Sequence, residues 1–261
     1  MASGIKSAKL KLVRAKKHLR RLKRCTAAYA ASKPHKIVSK PKRKKKLNVP
    51  NGPPLEIAVL AGEIVYQIRS ALDHLAFELV KTNPAISTID PNWEKNTQFP
   101  LRTTVPKTGR PVCRGIFANS LPGISDAAFA IIEPMQPYHG LGAVNNSLRL
   151  LERLSNIDKH RHLHLIRPRP TKREVIRFRS GSRASSFHTL NRGAIIEPVS
   201  SWNRSDKPVY VKRSYGIRVS FNERSELGEA TDVPVEDLLE LVLQNVTAFV
   251  VPALEALIKN P

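Results

Sequence analysis

The chain has 261 residues, 44 Lys and Arg against 21 Asp and Glu, a formal net charge of +23 at pH 7 and 41% hydrophobic residues. A core can be buried at that length and apolar content, which excludes a mini-protein, a collagen-like repeat and a wholly disordered chain. Two cysteines cannot build a disulfide framework, and Cys25 and Cys113 are expected to be unpaired thiols of a reducing compartment.

The charge is concentrated at the front. Glu56 is the first acidic residue, whereas residues 1–46 hold 18 Lys or Arg. Residues 8–31 are helix formers throughout, with Leu12, Leu19 and Leu22 near one face and Lys11, Arg14, Lys17, Arg21 and Arg24 around it, the pattern of a basic amphipathic helix. Lys42, Arg43, Lys44, Lys45 and Lys46 then form a self-repelling run, and the breakers at 50–54 close a linker over 32–54. A cationic surface of this kind seeks phosphate or lipid head groups. Nucleic acid, RNA rather than DNA, is the expected partner, with Lys16, Lys17, Arg20, Arg21, Lys23, Arg24 and the 42–46 run as the contacting residues. The alternatives are a membrane surface, an organelle address and a solvated tail that only aids solubility. The first lysines are followed by no apolar stretch of secretory-signal type. No transmembrane segment is expected either, because residues 233–258 are interrupted by Glu236, Asp237, Glu240, Gln244 and Asn245. A cytoplasmic location follows from these readings.

Residues 55–82 repeat Ile57, Leu60, Ile64, Ile68, Leu72, Leu75 and Leu79 at spacings of three and four, which predicts one long helix with a buried stripe. Pro84, Pro91 and Pro100 enforce an irregular crossing anchored by Trp93 and Phe99, which runs on through Pro106, Gly109 and Pro111. A short helix is expected at 125–132, a turn at 136–140, and a second strong helix at 147–164 with Leu150, Leu151, Leu154 and Ile157 on one face. Short β-branched stretches at 175–178, 194–196, 209–211 and 217–221 read as three or four antiparallel strands. A last helix opens at Val233 and Pro234, capped by Thr231 or Asp232, repeats Leu238, Leu241, Val242, Asn245 and Phe249, and is kinked or interrupted at Pro252. The expected fold is α+β and mainly α: a helical bundle core with a small antiparallel β-meander and a basic N-terminal helical extension. Residues 1–54 would be extension and linker, and residues 55–261 one domain, with no separate β domain.

Phosphate-loop, dinucleotide, Cys-x-x-Cys, His-Glu-x-x-His and Gly-x-Ser-x-Gly signatures are missing, so no nucleotide cofactor and no zinc-protease chemistry is expected. Two polar clusters stand out, at 69–74 and 156–161. Extending the stripe of the second helix from Leu154 and Ile157 lands on Asp158 and Arg161, so charge points inward and needs a partner; Arg69 and Asp73 on the first helix are the natural candidates. In one reading these four residues are an interhelical salt-bridge network that sets register. In another, His160, His162 and His164 join Asp158 or His74 around a metal ion, although no obvious third ligand shares their face.

The stretch Gly62 to Leu75, the later Gln136-Pro137-Tyr138, and Leu154 to Arg161 together resemble a family of uncharacterised bacterial proteins of similar size, over most of residues 55–260. More distantly, Arg69 followed by His74 resembles the Arg-x4-6-His motif of HEPN-type helical ribonucleases, in which Arg and His face a cleft made by a dimer. That resemblance implies a metal-independent endoribonuclease without cofactor, acting as a homodimer through Arg69 and His74 with Asp158, His160 and Arg161 in support. Its chemistry is coherent, since a neutral-range His can move the proton of a 2′-hydroxyl and Arg can hold developing phosphorane charge. The two residues lie about 140° apart around an ideal helix, so both must border one cleft. The alternative is a non-catalytic, nucleic-acid-associated protein whose clusters are structural.

Overall fold

The computed structural model describes residues 3–32, 36–39, 45–48, 52–105, 114–140, 142–160, 166–180, 183–189, 208–222, 227, 230 and 232–259. They divide into two compact units, one of residues 1–25, 55–165 and 221–261, the other of 26–54 and 166–220. The division differs from the boundary expected at residue 54, because the basic front segment enters the helical unit.

Four long elements build the helical unit: α1 (Ser3–Ala31), α2 (Leu55–Lys81), then, past the short α3 (Ile86–Ile89), α4 (Trp93–Asn96) and α5 (Asp126–Ile132), α6 (Ala143–His160), and α7 (Val235–Asn245) running on into α8 (Val251–Lys259). All seven apolar residues of the α2 stripe are buried, Ile57, Ile64, Ile68, Leu72 and Leu75 completely. Ala58, Ala61, Gly62, Val65, Ala71 and Ala76 are buried as well, so α2 is covered on more than one face. Small residues there admit close neighbours: a Cβ on Gly62 would stand 2.6 Å from Asp158 Oδ1 on α6.

Polar contacts give the helix directions. Gly4 N donates to Glu78 Oε1 at 3.0 Å, His18 Nδ1 lies 3.0 Å from Glu63 and Arg21 meets Glu56 at 2.6 Å, so α1 runs antiparallel to α2. Lys9 with Glu255 at 2.8 Å and Lys23 with Glu240 at 2.7 Å set α1 antiparallel to α7 and α8 as well. The buried face of α1 is Ile5, Ala8, Leu12, Ala15, Leu19 and Leu22, a helical spacing that continues the expected leucine stripe toward the N-terminus.

The sequence-based registers need three corrections. Helix α6 starts at Ala143, and Leu148, Leu151, Leu154 and Ile157 form its buried stripe, while Leu150 is half-buried; positions 148, 151 and 154 keep the three-residue spacing that 150 breaks. Pro234 is itself the cap residue of α7, Leu238 N donating to its carbonyl at 3.0 Å, and Leu241 and Phe249 are exposed rather than core. Between α7 and α8 the chain widens into a π-helical turn at Val246–Val250. Pro252 has no N–H and its ring crowds the carbonyl four residues earlier, and the wider turn relieves both without ending the helix. The stretch Val235–Lys259 is long and apolar enough to cross a membrane by length and composition, with half of its most apolar window buried within the protein.

Ser125 caps α5, its side chain accepting from Ala128 N at 3.2 Å, and Trp93 and Phe99 are buried in the crossing as expected. In the second unit, β1 (Lys36–Ser39) pairs antiparallel with β2 (Lys45–Asn48), and β3 (Ile166–Ser180) pairs antiparallel with β4 (Arg183–Thr189), from Glu174 opposite Thr189 to Ser180 opposite Arg183. β5 (Pro208–Phe221) takes in both the 209–211 and the 217–221 stretches; the stretch expected at 194–196 lies outside the described residues.

Leu72→Ala, at a fully buried site on α2, should lower unfolding free energy by about 2–5 kcal/mol, measured by denaturant titration of both proteins.

Candidate functional site

Arg69 lies on the buried stripe of α2, at 8% exposure. Its Nη2 is 3.0 Å from Asp73 Oδ1, one helical turn on, and donates at 3.4 Å to Gln98 Oε1 in the crossing. Asp73 Oδ1 also accepts from Phe99 N at 2.9 Å, so one carboxylate neutralises the guanidinium and pins the loop. Burial above all pulls the Arg69 guanidinium below its ordinary value, and the charges of Asp73 and then Glu152 push back.

Segment 98–102 is held at its other end by Gln136. That side chain is fully buried; its Oε1 accepts from Arg102 N at 3.0 Å and its Nε2 donates to Ile132 O at 3.2 Å. Tyr138 N donates to Arg102 O at 3.0 Å, and Asn145 Nδ2 on α6 donates to Gln136 O at 2.9 Å. Gln136-Pro137-Tyr138 therefore clamps both backbone groups of Arg102. The Arg102 guanidinium donates to Ile116 O and lies 6.0 Å from the Phe117 ring centre.

Between α2, this segment and α6 opens a cavity of about 250 Å³, lined on its polar side by Arg69, Gln98, Arg102, Glu152, Asn156 and Lys159. Glu152, Ser155, Asn156 and Lys159 are spaced three and four apart on α6, a polar strip beside the leucine stripe, and Asn156 Nδ2 donates to Glu152 Oε1.

The sequence-derived catalytic set is only partly assembled here. Arg69 faces the cavity, whereas His74 is half-buried on α2 and does not line it. Asp158 is half-buried on α6 opposite Gly62, and also stays outside the lining. His160 is the last residue of α6, its side chain outside the described part, and Arg161, His162 and His164 lie outside the described residues. Among the described residues no group of three or more His, Cys, Asp or Glu is placed to hold a metal ion. Gln98, Arg102 and Ser120 had no local signal, being placed by long-range contacts, whereas the α6 strip was readable as a second polar periodicity.

The second candidate is the solvent face of α1. Lys6, Arg14, Lys16, Lys17, Arg20 and Arg24 are exposed and have no carboxylate partner among the described residues. Arg21 and Lys23 are neutralised by Glu56 and Glu240, and Lys11 Nζ lies 5.3 Å from the Tyr66 ring centre. Lys42, Arg43 and Lys44 lie outside the described residues, and Lys45 and Lys46 begin β2. No family model, curated protein or solved structure matches the chain.

Two outcomes are expected. Asp73→Ala, which strips Arg69 and Phe99 N of their acceptor, should destabilise by about 1–3 kcal/mol, less than a fully buried pair because Asp73 is partly solvated; thermal and denaturant unfolding measure it. Burial first, then the hydrogen bond to Glu133, push the Tyr138 phenol above its ordinary value of 10.0. The unfolded chain then releases this proton first, so stability should fall as pH rises above 10.0, and Tyr138→Phe should remove part of that fall in denaturation midpoints measured across the range.

Proposed function

We propose that the protein is nucleic-acid associated and grips the phosphate backbone, of RNA in preference to DNA, through the solvent face of α1. The observation that carries this reading is the row of six unneutralised cations on a helix whose opposite face is buried. From Lys6 to Arg24 the row is about 27 Å long and spans about 160° of the helix circumference, which suits a rigid rod laid along a polyanion. Releasing counterions from several phosphates drives such binding without base recognition. The preference for RNA rests on the resemblance to helical ribonucleases, as does the homodimer. We further propose that residues 166–221 complete a small antiparallel meander, in keeping with the pairing of β3 and β4.

Changing Lys16, Lys17, Arg20 and Arg24 together to Gln should leave the thermal midpoint nearly unchanged and cut RNA affinity sharply. The slope of log K against log salt should become shallower by about 3, at roughly 0.7 for each single-strand phosphate that is no longer neutralised. Fluorescence anisotropy over a salt series reads both. Unchanged affinity sinks the proposal. So does preference for anionic vesicles over RNA, since Leu10 and Val13 are exposed on the same face, at 69% and 52%, and would suit an interface.

The endoribonuclease reading is favoured by one observation, that Arg69 borders an open cavity with Arg102 and Lys159 beside it. Labelled single-stranded RNA cleaved in EDTA by the wild type and left intact by His74→Ala would establish it. No cleavage by either protein would leave the binding role alone.

A further inference from the structure

The outer face of α7 and α8 is uncharged in a chain of net charge +23. Between Asp237 and Lys259, both exposed, the only charged residues are Glu240 and Glu255, and these are drawn to α1 by Lys23 and Lys9. The exposed line runs through Leu241, Gln244, Ala248, Phe249, Pro252 and Ala256, with Leu241 at 48% and Phe249 at 55% exposure. The π-helical turn is what aligns it. In a plain α-helix eight residues advance about 800°, which would set Leu241 and Phe249 about 80° apart. The turn at Val246–Val250 takes up one extra residue. The same eight residues then make close to two full turns, and the two side chains fall within about 20° of one line.

A polyanion has nothing to hold on such a face, and a helix lying on a bilayer needs basic residues beside its apolar ones, whereas this face has Lys259 alone, at its end. A second copy of the chain fits better. Two chains of +23 repel one another wherever basic surface meets basic surface, and here they can touch without bringing like charges together. The face is also complementary to itself. About a two-fold axis through Ala248, an antiparallel pair sets Leu241 opposite Ala256, large against small, and Gln244 opposite Pro252. The same register brings Asp237 of each copy to Lys259 of the other, opposite charges at the rim. Ala248 on the axis is small, so the helices can close to about 8 Å, the near end of the usual range, with Phe249 beside its counterpart.

We propose that this face is a homodimer surface, on which the α7–α8 segments of two copies pack antiparallel about Ala248. The contact is about 33 Å long and one helix diameter, about 10 Å, wide. That is small beside the roughly 800 Å² that each partner buries in a standard interface, so the dimer is weak and reversible. The surface is argued from this face alone. It stands apart from the Arg69 cleft, where the resemblance to helical ribonucleases puts a dimer, and from the basic face of α1.

The test is sedimentation velocity of the full chain, freed of nucleic acid by nuclease treatment, from micromolar to sub-millimolar concentration. A reversible monomer–dimer equilibrium is expected. Added salt should strengthen it, the reverse of its effect on nucleic-acid binding, because it screens the repulsion between copies. Ala248→Glu puts a good helix former at an exposed site and two like charges at the axis; it should weaken dimerisation about 10-fold or more, as should Phe249→Ala, with thermal midpoints near that of the wild type. In a chain with Cys25 and Cys113 changed to Ser, Ala248→Cys should form an intermolecular disulfide under mild oxidation. Asp237→Cys should not, since its counterpart lies about 33 Å away along the axis. A monomer at every concentration overturns this surface and the homodimer together. A dimer indifferent to Ala248→Glu and Phe249→Ala overturns this surface and leaves the homodimer to another face. Cross-linking at position 237 and not at 248 overturns the antiparallel register. A monomeric chain that sediments with phosphatidylcholine vesicles, and loses this in Phe249→Ala, gives the face to a bilayer and overturns the proposal.

Discussion

The Asp73 carboxylate is the point on which the site depends. One turn of α2 places it beside Arg69, and the same oxygen receives the Phe99 amide. Without that carboxylate, a guanidinium on a stripe of Ile64, Ile68 and Leu72 would be an uncompensated charge in a low-dielectric setting, the costliest defect a core can hold. With it, Arg69 can sit among aliphatic side chains, Phe99 can be fully buried, and segment 98–102 becomes a fixed wall. An apolar pair of similar volume would serve stability as well or better. What an ion pair adds is direction: the loop must arrive with its amide at one oxygen, and Gln136 holds the far end at Arg102 with the same specificity.

A comparable division of labour runs along α1. Its salt bridges involve side chains that are mostly between a third and three-fifths exposed, so each contributes little, about 0–1 kcal/mol before salt screening. The buried row from Ile5 to Leu22 is what holds the helix, at about 25 cal/mol for each Å² of apolar surface removed from water. The pairs to Glu56, Glu63, Glu240 and Glu255 set register and direction instead. Glu56 and Glu63 meet one flank of the buried face of α1, and Glu240 and Glu255 the other; the exposed cations between the flanks repel one another, a strain that an external polyanion would relieve.

Elements whose order is local could be read before any coordinates. The α2 stripe was complete because each residue of a 3.6-residue repeat reports on its neighbours; Arg69 and Asp73, by contrast, were expected to pair across to Asp158 and Arg161, whereas they pair with each other one turn apart. Leu148 and Leu150 of α6 were confused because Leu150 and Leu151 are both apolar and only the partner helix decides which turns inward. The π-helical turn before Pro252 was hidden because proline signals trouble without saying whether the helix ends, bends or widens. The cavity was the least legible part. Gln98, Arg102 and Gln136 meet across long sequence separations, and nothing in a Pro-punctuated loop says which helix face it will cover. His74 shows the converse. Its spacing from Arg69 suggested a catalytic pair, yet the angle between them on one helix turns the histidine away from the cavity that the arginine lines.

The helical unit thus carries positive charge in two physically different forms. Along α1 the cations stand in water, where fields fade over a Debye length of about 8 Å at physiological salt, and attraction comes from number and spacing. Around Arg69 the charge is one guanidinium largely withdrawn from solvent and paired with Asp73, whose interactions are stronger because the surrounding dielectric is lower. The first form is open to an external polyanion, whereas the second already has the Asp73 carboxylate as its counter-charge. Added salt therefore screens the first form far more than the second.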